Sequence, residues 1–210
     1  MPSADLHAIT TLQTSVGPTA GQPCPVTFTR HGNFYEVRAA PGAAGERHGL
    51  GMFVDERLII SWGPKDKVEI GAYRIAGKEM TGTWVPPGAR GSDMSICGHE
   101  RSTQVEPNTY EIVEAKAIDG SAYTGRITIE PLEPGSDLTP PFAARMRWHL
   151  NDGEYASFAI AFGQAMFAIF SFQPDDWHAI SVFEPQQDGS YRGNILEKDM
   201  TQLQPESLSL

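Results

Sequence analysis

The sequence predicts an all-β, antiparallel fold, either a closed β-barrel or a barrel-like sandwich, built from an internal duplication. Three observations support this prediction: turn signals recur at short intervals, the residues between them alternate between apolar and polar, and the second half of the chain repeats the pattern of the first. No stretch of ten residues follows a helical period, and the prolines at 134, 140 and 141 disfavour a helix in 133–142.

The turn signals are glycines next to residues that favour turns, and their spacing suits short strands. They are His31-Gly32-Asn33, Gly77-Lys78, Asp119-Gly120, Asn151-Asp152-Gly153 and Asp188-Gly189. Between them, residues 26–29, 123–130 and 145–150 alternate strictly between apolar or small side chains and polar ones. An alternation of period two indicates strands with one buried face and one wetter face.

The internal repeat aligns residues 58–62 (LIISW) with residues 168–172 (AIFSF). The aligned pairs are Ser61 with Ser171, Tyr73 with Phe183, and Gly82 with Gly193, the last after one inserted residue. Upstream, the segment from Phe28 to Tyr35 is similar to the segment from Trp148 to Tyr155. A repeat of two copies favours two similar half-barrels or small barrels that cover each other's apolar faces.

These patterns divide the chain into three parts. We expect a flexible N-terminal arm at 1–22, a single duplicated β domain at 23–197, and a C-terminal tail at 198–210. Within the domain, the first repeat spans about 23–100 and the second about 108–197.

The charge of the chain argues against a nucleic-acid partner. It carries 26 acidic and 16 basic residues, a net charge of −10, and no dense basic patch that could hold a phosphate backbone. The two cysteines, Cys24 and Cys97, form no CxxC motif, and the first residues show no secretory signal. We therefore expect a cytoplasmic protein without a nucleic-acid partner.

Residues 155–172 form the most apolar segment and contain no charge. Their length could span a bilayer, but Gly163-Gln164 lies at the centre, so we expect a hairpin and no membrane helix. Both faces are apolar: the residues at 158, 160 and 162 share one face, and those at 155, 157, 159 and 161 share the other. We expect cover from within the chain, and the alternative is a homodimer through 155–162.

Seven residues are candidates for ligand binding. Four aromatic side chains, Trp62, Tyr73, Trp84 and Trp148, could line a pocket, and three arginines, Arg74, Arg126 and Arg147, could select an anionic group. Ordinary core packing is the alternative for the aromatic residues. A solvated cross-strand charge lattice is the alternative for Arg126 and Arg147, because both fall in phase with other charged residues at 130, 145 and 149.

The segment Gly82-Thr83-Trp84 resembles the Gly-x-Trp strand signature of the lipocalins and avidins, the calycin-like barrels. The wider pattern at 49–84 resembles the repeats of uncharacterised bacterial duplicated β proteins. The first resemblance implies a barrel with an interior pocket for a small ligand, whereas the second implies no particular activity.

The sequence indicates no catalytic residue, metal or cofactor. Cys97-Gly98-His99-Glu100 brings three potential metal ligands together, but their spacing fits no zinc pattern, and no hydrolase, phosphate-loop or dinucleotide motif is present.

Three functions remain open, and each predicts a different interior. A non-catalytic barrel that binds a small apolar or anionic ligand, which we favour, predicts a pocket of roughly 300 Å³ or more among the tryptophans. An oligomerisation module without a ligand predicts a filled barrel and an exposed alanine and serine stripe. A barrel-type cyclase or isomerase predicts a buried titratable group beside a polar partner inside a cavity.

Overall fold

The structure, a computed structural model, describes residue 6 and residues 9–14, 21–40, 46–65, 67–86, 97–132, 140–163, 166–170, 178–198 and 200–210. The regular elements of length four or more in these ranges are all β-strands. They are β1 (Thr11–Thr14), β2 (Pro23–His31), β3 (Phe34–Ala39), β4 (Arg47–Val54), β5 (Arg57–Gly63), β6 (Ile70–Ala76), β7 (Glu79–Val85), β8 (Gly98–Glu106), β9 (Thr109–Lys116), β10 (Gly125–Pro131), β11 (Phe142–Leu150), β12 (Gly153–Phe162), β13 (Met166–Phe170), β14 (Ala179–Pro185), β15 (Tyr191–Glu197) and β16 (Gln204–Ser209).

The strands form where period-two patterning and turn residues coincide. In β2, Cys24, Val26 and Phe28 are buried and their neighbours along the strand are exposed. Gly32, at the tip of the β2–β3 hairpin, has a φ of 61°, a conformation that glycine adopts without steric cost. The prediction of an all-β antiparallel barrel is confirmed, because every strand pair is antiparallel and the strands close into barrels.

The strands form two closed barrels of eight strands each. The sequence of one barrel is inserted between two strands of the other, and we call them the inserted barrel and the split barrel. The inserted barrel is continuous in sequence and contains β6 to β13, with β6 paired to β13. The split barrel contains β1 to β5 and β14 to β16, and β5 pairs directly with β14 across the insertion. The chain therefore crosses between barrels twice, after β5 and after β13.

The expectation that residues 1–22 and 198–210 lie outside the sheet does not hold for β1 and β16. These two strands pair with each other from Thr11 with Ser209 to Thr14 with Glu206, and they complete the split barrel. Leu12 and Leu208 lie opposite each other and are fully buried. The short, polar composition of the arm and tail concealed this pairing, since one buried leucine in each strand supplies the apolar contact.

The two barrels have the same strand order when β14 is aligned with β6. A row of three paired residues, an aromatic, a glycine and a glutamate, runs across the matching strands in each barrel. The rows are Tyr73–Gly82–Glu100 and Phe183–Gly193–Glu206. The strand pairing thus reproduces the sequence alignment of Tyr73 with Phe183 and of Gly82 with Gly193, as an internal duplication predicts.

Two other parts of the sequence alignment differ from the strand pairing. Leu58 pairs with Phe183 and Phe167 pairs with Tyr73, so Leu58 matches Phe167, one residue away from the alignment that placed Ser61 on Ser171. Ser171 itself lies outside the described residues. Upstream, β2 had been matched with β11, but the strand order matches β2 with β10. Apolar alternation is similar in neighbouring strands, and this similarity caused the shift by one strand.

The hairpin of β12 and β13 is covered on both faces of β12 by the chain itself. Phe158, Ile160 and Phe162 pack in an apolar core between the barrels, together with Ile59 and Ile180. The alanine-rich face points into the inserted barrel, where Ala159 and Ala161 are buried. On the face proposed for a homodimer, Ser157, Ala159 and Ala161 are therefore buried, and Tyr155 is exposed. Within the described residues, the structure contains no helix long and apolar enough to cross a membrane.

Candidate functional site

A cavity of about 430 Å³ opens at one end of the inserted barrel. Three of the predicted residues line it together: Tyr73 from β6, Trp84 from β7 and Trp148 from β11. At the other end the barrel is filled by apolar side chains, among them Met80 and Met146, both fully buried. The cavity is therefore a blind pocket inside a barrel, the shape that small-molecule sites commonly take.

Two glycines allow the aromatic rings to lie flat against neighbouring strands. A Cβ atom on Gly82 would come within 2.2 Å of the Tyr73 ring, and one on Gly98 within 2.3 Å of the Trp84 ring. Only a residue without a side chain fits beneath each ring. This packing gives the Gly82-x-Trp84 motif a local explanation, because the glycine accommodates the Tyr73 ring and the tryptophan lies over Gly98.

Glu100 is the most deeply buried acidic group in the cavity wall, with 4% of its surface exposed. Tyr123 donates a hydrogen bond from its hydroxyl to Glu100 Oε2 at 2.8 Å. Trp84 in turn donates from Nε1 to the Tyr123 hydroxyl oxygen at 3.3 Å. The second carboxyl oxygen, Oε1, is buried and accepts no hydrogen bond of normal geometry from the residues that the structure describes, although the Trp148 indole lies near enough to the carboxyl to favour its charged form. A buried acceptor without a partner is unusual and points to a missing donor.

The loop between β9 and β10 holds Tyr123 over the cavity. Asp119 accepts hydrogen bonds from the backbone N–H and the hydroxyl of Ser121, at 2.8 Å and 2.6 Å. An antiparallel bridge between Lys116 and Ala122 closes the loop next to Tyr123. An aspartate turn of this kind fixes the backbone locally, so the position of the Tyr123 hydroxyl is set by short-range interactions.

Burial shifts the proton affinity of the acidic groups in the cavity. Burial raises the pKa of Glu100 to about 7, although the Tyr123 hydroxyl and the nearby Trp148 indole oppose the shift by favouring the charged form. Burial also raises the pKa of Glu69, just before β6, to about 7. Glu69 is half-buried and lines the cavity. Two carboxyl groups in this cavity therefore change charge near neutral pH.

The tyrosines of the cavity remain protonated hydrogen-bond donors. Burial raises the pKa of Tyr73 well above its usual value, and the Glu100 carboxylate adds to the effect. Burial and Glu100 likewise raise the pKa of Tyr123. Among the described residues that line the cavity, the ionisable side chains are carboxyl and phenol groups, and none is Lys, Arg or His. The site can therefore hold an aromatic or apolar body and accept hydrogen bonds or a proton.

Trp62, the fourth predicted aromatic residue, lies in the other barrel. It is fully buried in the split barrel and donates from Nε1 to Ser181 Oγ at 2.9 Å. The Ser181 hydroxyl in turn donates a very short hydrogen bond to the Glu206 carboxylate. The guanidinium of Arg47 stacks over the Trp62 ring, 4.7 Å from its centroid. Trp62 therefore belongs to a filled core, which was the alternative interpretation of the aromatic residues.

The three predicted arginines do not line the cavity. Arg74 donates to the Asp55 carboxylate at 2.6 Å, Arg147 pairs with Glu130 at 3.2 Å, and Arg126 lies on the exposed face of β10. Alternation is the physical reason, since Arg74 follows Tyr73 and Arg147 precedes Trp148 on the same strands. Arg126 and Arg147 belong to the solvated charge lattice outside the barrel, where β10 and β11 pair.

The segment from Cys97 to Glu100 separates its potential metal ligands. Glu100 points into the inserted barrel, whereas Cys97 and His99 line a different cleft, of about 740 Å³, on the outer face. Strand geometry turns successive side chains to opposite faces, so the three groups cannot converge on one ion. No group of three metal-binding side chains is present within the part of the chain that the structure describes.

Sequence reasoning missed Glu69, Glu100 and Tyr123 as members of one site. A signal for Glu100 was available: in β8 it falls in phase with Gly98 and Ser102, while His99 and Arg101 fall on the other face. A charged residue on the small-residue face of a strand indicates a buried carboxyl. Tyr123 falls in phase with Ile127 and Ile129 in the alternating run 123–130, but nothing in the run linked it to Glu100. Glu69 precedes β6, where no periodicity could assign it a direction.

Comparison of the chain with protein-family models, with curated proteins and with solved structures finds no match. The assignment of a function therefore depends on the chemistry of the cavity.

Proposed function

We propose that the protein is a non-catalytic binding protein that holds a small, partly apolar ligand in the inserted barrel. The observation that carries the proposal is the cavity of about 430 Å³ lined by Tyr73, Trp84 and Trp148. Its volume lies within the range of roughly 300 to 1,000 Å³ that is typical of ligand sites. Aromatic faces supply apolar contact area, and the phenol and carboxyl groups supply orientation.

The resemblance to calycin-like barrels favours the same proposal as an analogy, because those barrels bind small ligands in their interior. Gly82 and Trp84, which carry the resemblance, lie in the wall of the cavity or beside it. The anionic ligand expected from the arginines is not part of this proposal, since those arginines lie outside the barrel.

The decisive experiment compares two leucine substitutions on adjacent residues of β12. Ser157→Leu places a bulky side chain in the cavity, whereas Ala156→Leu places the same side chain on the opposite face of the strand. Native mass spectrometry of each protein, purified from its own host, reports any retained ligand. We expect the ligand on the wild type and on Ala156→Leu, and its loss from Ser157→Leu. Equal retention by both variants, with both folded by circular dichroism, would rule the cavity out as the binding site.

A second candidate is a barrel-type isomerase or cyclase, and one observation favours it. Glu100 is a buried titratable group hydrogen-bonded to the Tyr123 hydroxyl at 2.8 Å inside a cavity. A carboxyl with a pKa of about 7 can both take up and return a proton at neutral pH. Under this candidate, Glu100→Gln retains the ligand but stops its conversion, which mass spectrometry of the bound and released species would detect.

The hypothesis of an oligomerisation module predicts an exposed alanine and serine stripe. Ala159 and Ala161 are buried inside the barrel, so the described part of β12 presents no alanine stripe to a partner.

A further inference from the structure

We infer that the ligand of the inserted barrel carries an organic cation, an ammonium or guanidinium group that lies against Glu100. This inference rests on the proposed binding function and adds the chemical class of the ligand. The observation behind it is that the other barrel holds a cation of its own at the matching place.

Glu100 and Glu206 occupy the same position in the two barrels. Each is paired with the glycine that separates it from the aromatic residue of its row, Gly82 in one case and Gly193 in the other. Both glutamates are buried, with 4% of the surface exposed in each. Each barrel therefore places a carboxyl group at the equivalent point of its own lumen.

In the split barrel, the carboxyl of Glu206 shares the lumen with the guanidinium of Arg47. Arg47 is 6% exposed and stacks over the Trp62 ring at 4.7 Å. Burial lowers the pKa of Arg47, and the charge of Glu206 opposes that shift. The Arg47 guanidinium thus stacks on an aromatic face and lies near enough to the Glu206 carboxyl for that charge to favour the cation, the elements of a cation–π site with a counter-ion.

In the inserted barrel, the position of Arg47 is taken by Tyr155. The pairing of β5 with β4 and of β13 with β12 matches Phe53 with Ala161, and Arg47 and Tyr155 each lie six residues before them. Tyr155 is 52% exposed and lines the rim of the cavity. Among the described residues the cation of the split barrel thus has no basic counterpart at this position, and the cavity lies beside Tyr155.

The lining of this cavity suits a cation and disfavours an anion. Glu69, Glu100 and Asp152 contribute carboxyl groups, and no basic side chain is present among the described lining residues. The buried Oε1 of Glu100 accepts no hydrogen bond of normal geometry within the described structure, so a ligand donor would satisfy it. The faces of Trp84 and Trp148 supply the aromatic contact that Trp62 gives to Arg47. An anion would meet the carboxyl groups without compensation.

The test uses three probes with one body and different charges: benzylammonium, benzyl alcohol and benzoate. Isothermal titration calorimetry at pH 8 measures their affinities for the wild type, for Glu100→Gln and for the control Glu114→Gln, whose carboxyl lies on the exposed outer face. We expect benzylammonium to bind about tenfold or more tighter than benzyl alcohol, and benzoate to bind weakest. Glu100→Gln should abolish the preference for the cation, and Glu114→Gln should keep it.

Stronger or equal binding of benzyl alcohol or benzoate to the wild type would overturn the inference and leave the binding function intact. If none of the three probes binds, the ligand retained from the host decides. A cationic ligand supports the inference and a neutral or anionic one overturns it. The absence of any retained ligand refutes the proposed function itself.

Discussion

Replacing Glu100 by glutamine should change how the stability of the protein depends on pH. The carboxyl has a usual pKa of 4.5 and a pKa of about 7 in the folded protein. Between these values the folded state binds a proton that the unfolded state has released, so the free energy of unfolding falls as pH rises from about 4.5 to 7. Above pH 7 the loss is complete and stays constant.

The size of the effect follows from the two pKa values. At about 1.4 kcal/mol for each pH unit, the difference between 4.5 and about 7 corresponds to about 3 kcal/mol. Solvent screens the Glu100 carboxyl little, since the residue is 4% exposed. Glutamine cannot ionise, so it does not lose this stability as pH rises. The free energy of unfolding of Glu100→Gln minus that of the wild type should therefore increase by about 3 kcal/mol between pH 4 and pH 8.

Urea unfolding, followed by tryptophan fluorescence at a series of pH values, measures this difference. The quantity of interest is the gap between variant and wild type at each pH, because Glu69 contributes equally to both proteins. Glu114→Gln is the control, because it makes the same substitution at a side chain that is 73% exposed. A constant gap for Glu100→Gln across the series would show that the Glu100 carboxyl is not held uncharged by its burial.

Three further substitutions test other parts of the structure. Tyr123→Phe removes the hydroxyl that stabilises the charged carboxyl at 2.8 Å, so the pKa of Glu100 should rise further in an NMR titration of its carboxyl carbon. Gly98→Ala places a Cβ 2.3 Å from the Trp84 ring, so it should alter the near-ultraviolet circular dichroism and cost about 1–3 kcal/mol. Leu12→Ala truncates a fully buried side chain of β1 and should cost about 2–5 kcal/mol in urea unfolding.

Each of these substitutions has a neighbouring control. Tyr155→Phe, at the rim of the cavity, should leave the pKa of Glu100 unchanged. His99→Ala and Gln13→Ala change exposed neighbours on the same strands, and both should leave stability within about 0.5 kcal/mol of the wild type. A Leu12→Ala variant as stable as Gln13→Ala would contradict the place of β1 in the barrel wall, and an unaltered spectrum for Gly98→Ala would contradict the position of Trp84.

The sequence was sufficient to predict strands and turns because these depend on local chemistry. Gly32 and Gly77 both adopt positive φ at the hairpin tips where turn signals had been identified. The match of Tyr73 with Phe183 could be found because both barrels pair a large aromatic residue with a glycine that has no room for a Cβ. The match of β2 with β11 failed because neighbouring strands carry similar alternation.

The candidate site was predicted in part, and alternation explains both the success and the errors. Tyr73, Trp84 and Trp148 share one cavity because each is in phase with the inner face of its strand. Arg74 and Arg147, each adjacent to one of these aromatic residues, cannot face the same lumen. Period two shows which residues share a face, but it does not show which face is inside.

The position of Trp62 could not be predicted from local patterns. Trp62 and Trp84 are close in sequence, but the chain crosses from one barrel to the other between β5 and β6. In the connection, Val68 is buried in the apolar core between the barrels, whereas Lys65 and Lys67 are exposed. The pairing of β5 with β4 on one side and with β14, across the whole inserted barrel, on the other assigns Trp62 to the split barrel.

Because the sequence of one barrel interrupts that of the other, the two barrels can close only in a fixed order during synthesis. During translation, β1 to β5 leave the ribosome well before β14, so the seam between β5 and β14 cannot close until all of β6 to β13 has been made. The inserted barrel can close before β14 is made, because all eight of its strands are consecutive. Nascent β5 therefore exposes an open edge, which is prone to pair with other chains, throughout the synthesis of its neighbour. Ribosome-bound chains arrested after β13 should accordingly protect the inserted barrel from protease while β1 to β5 are still cleaved.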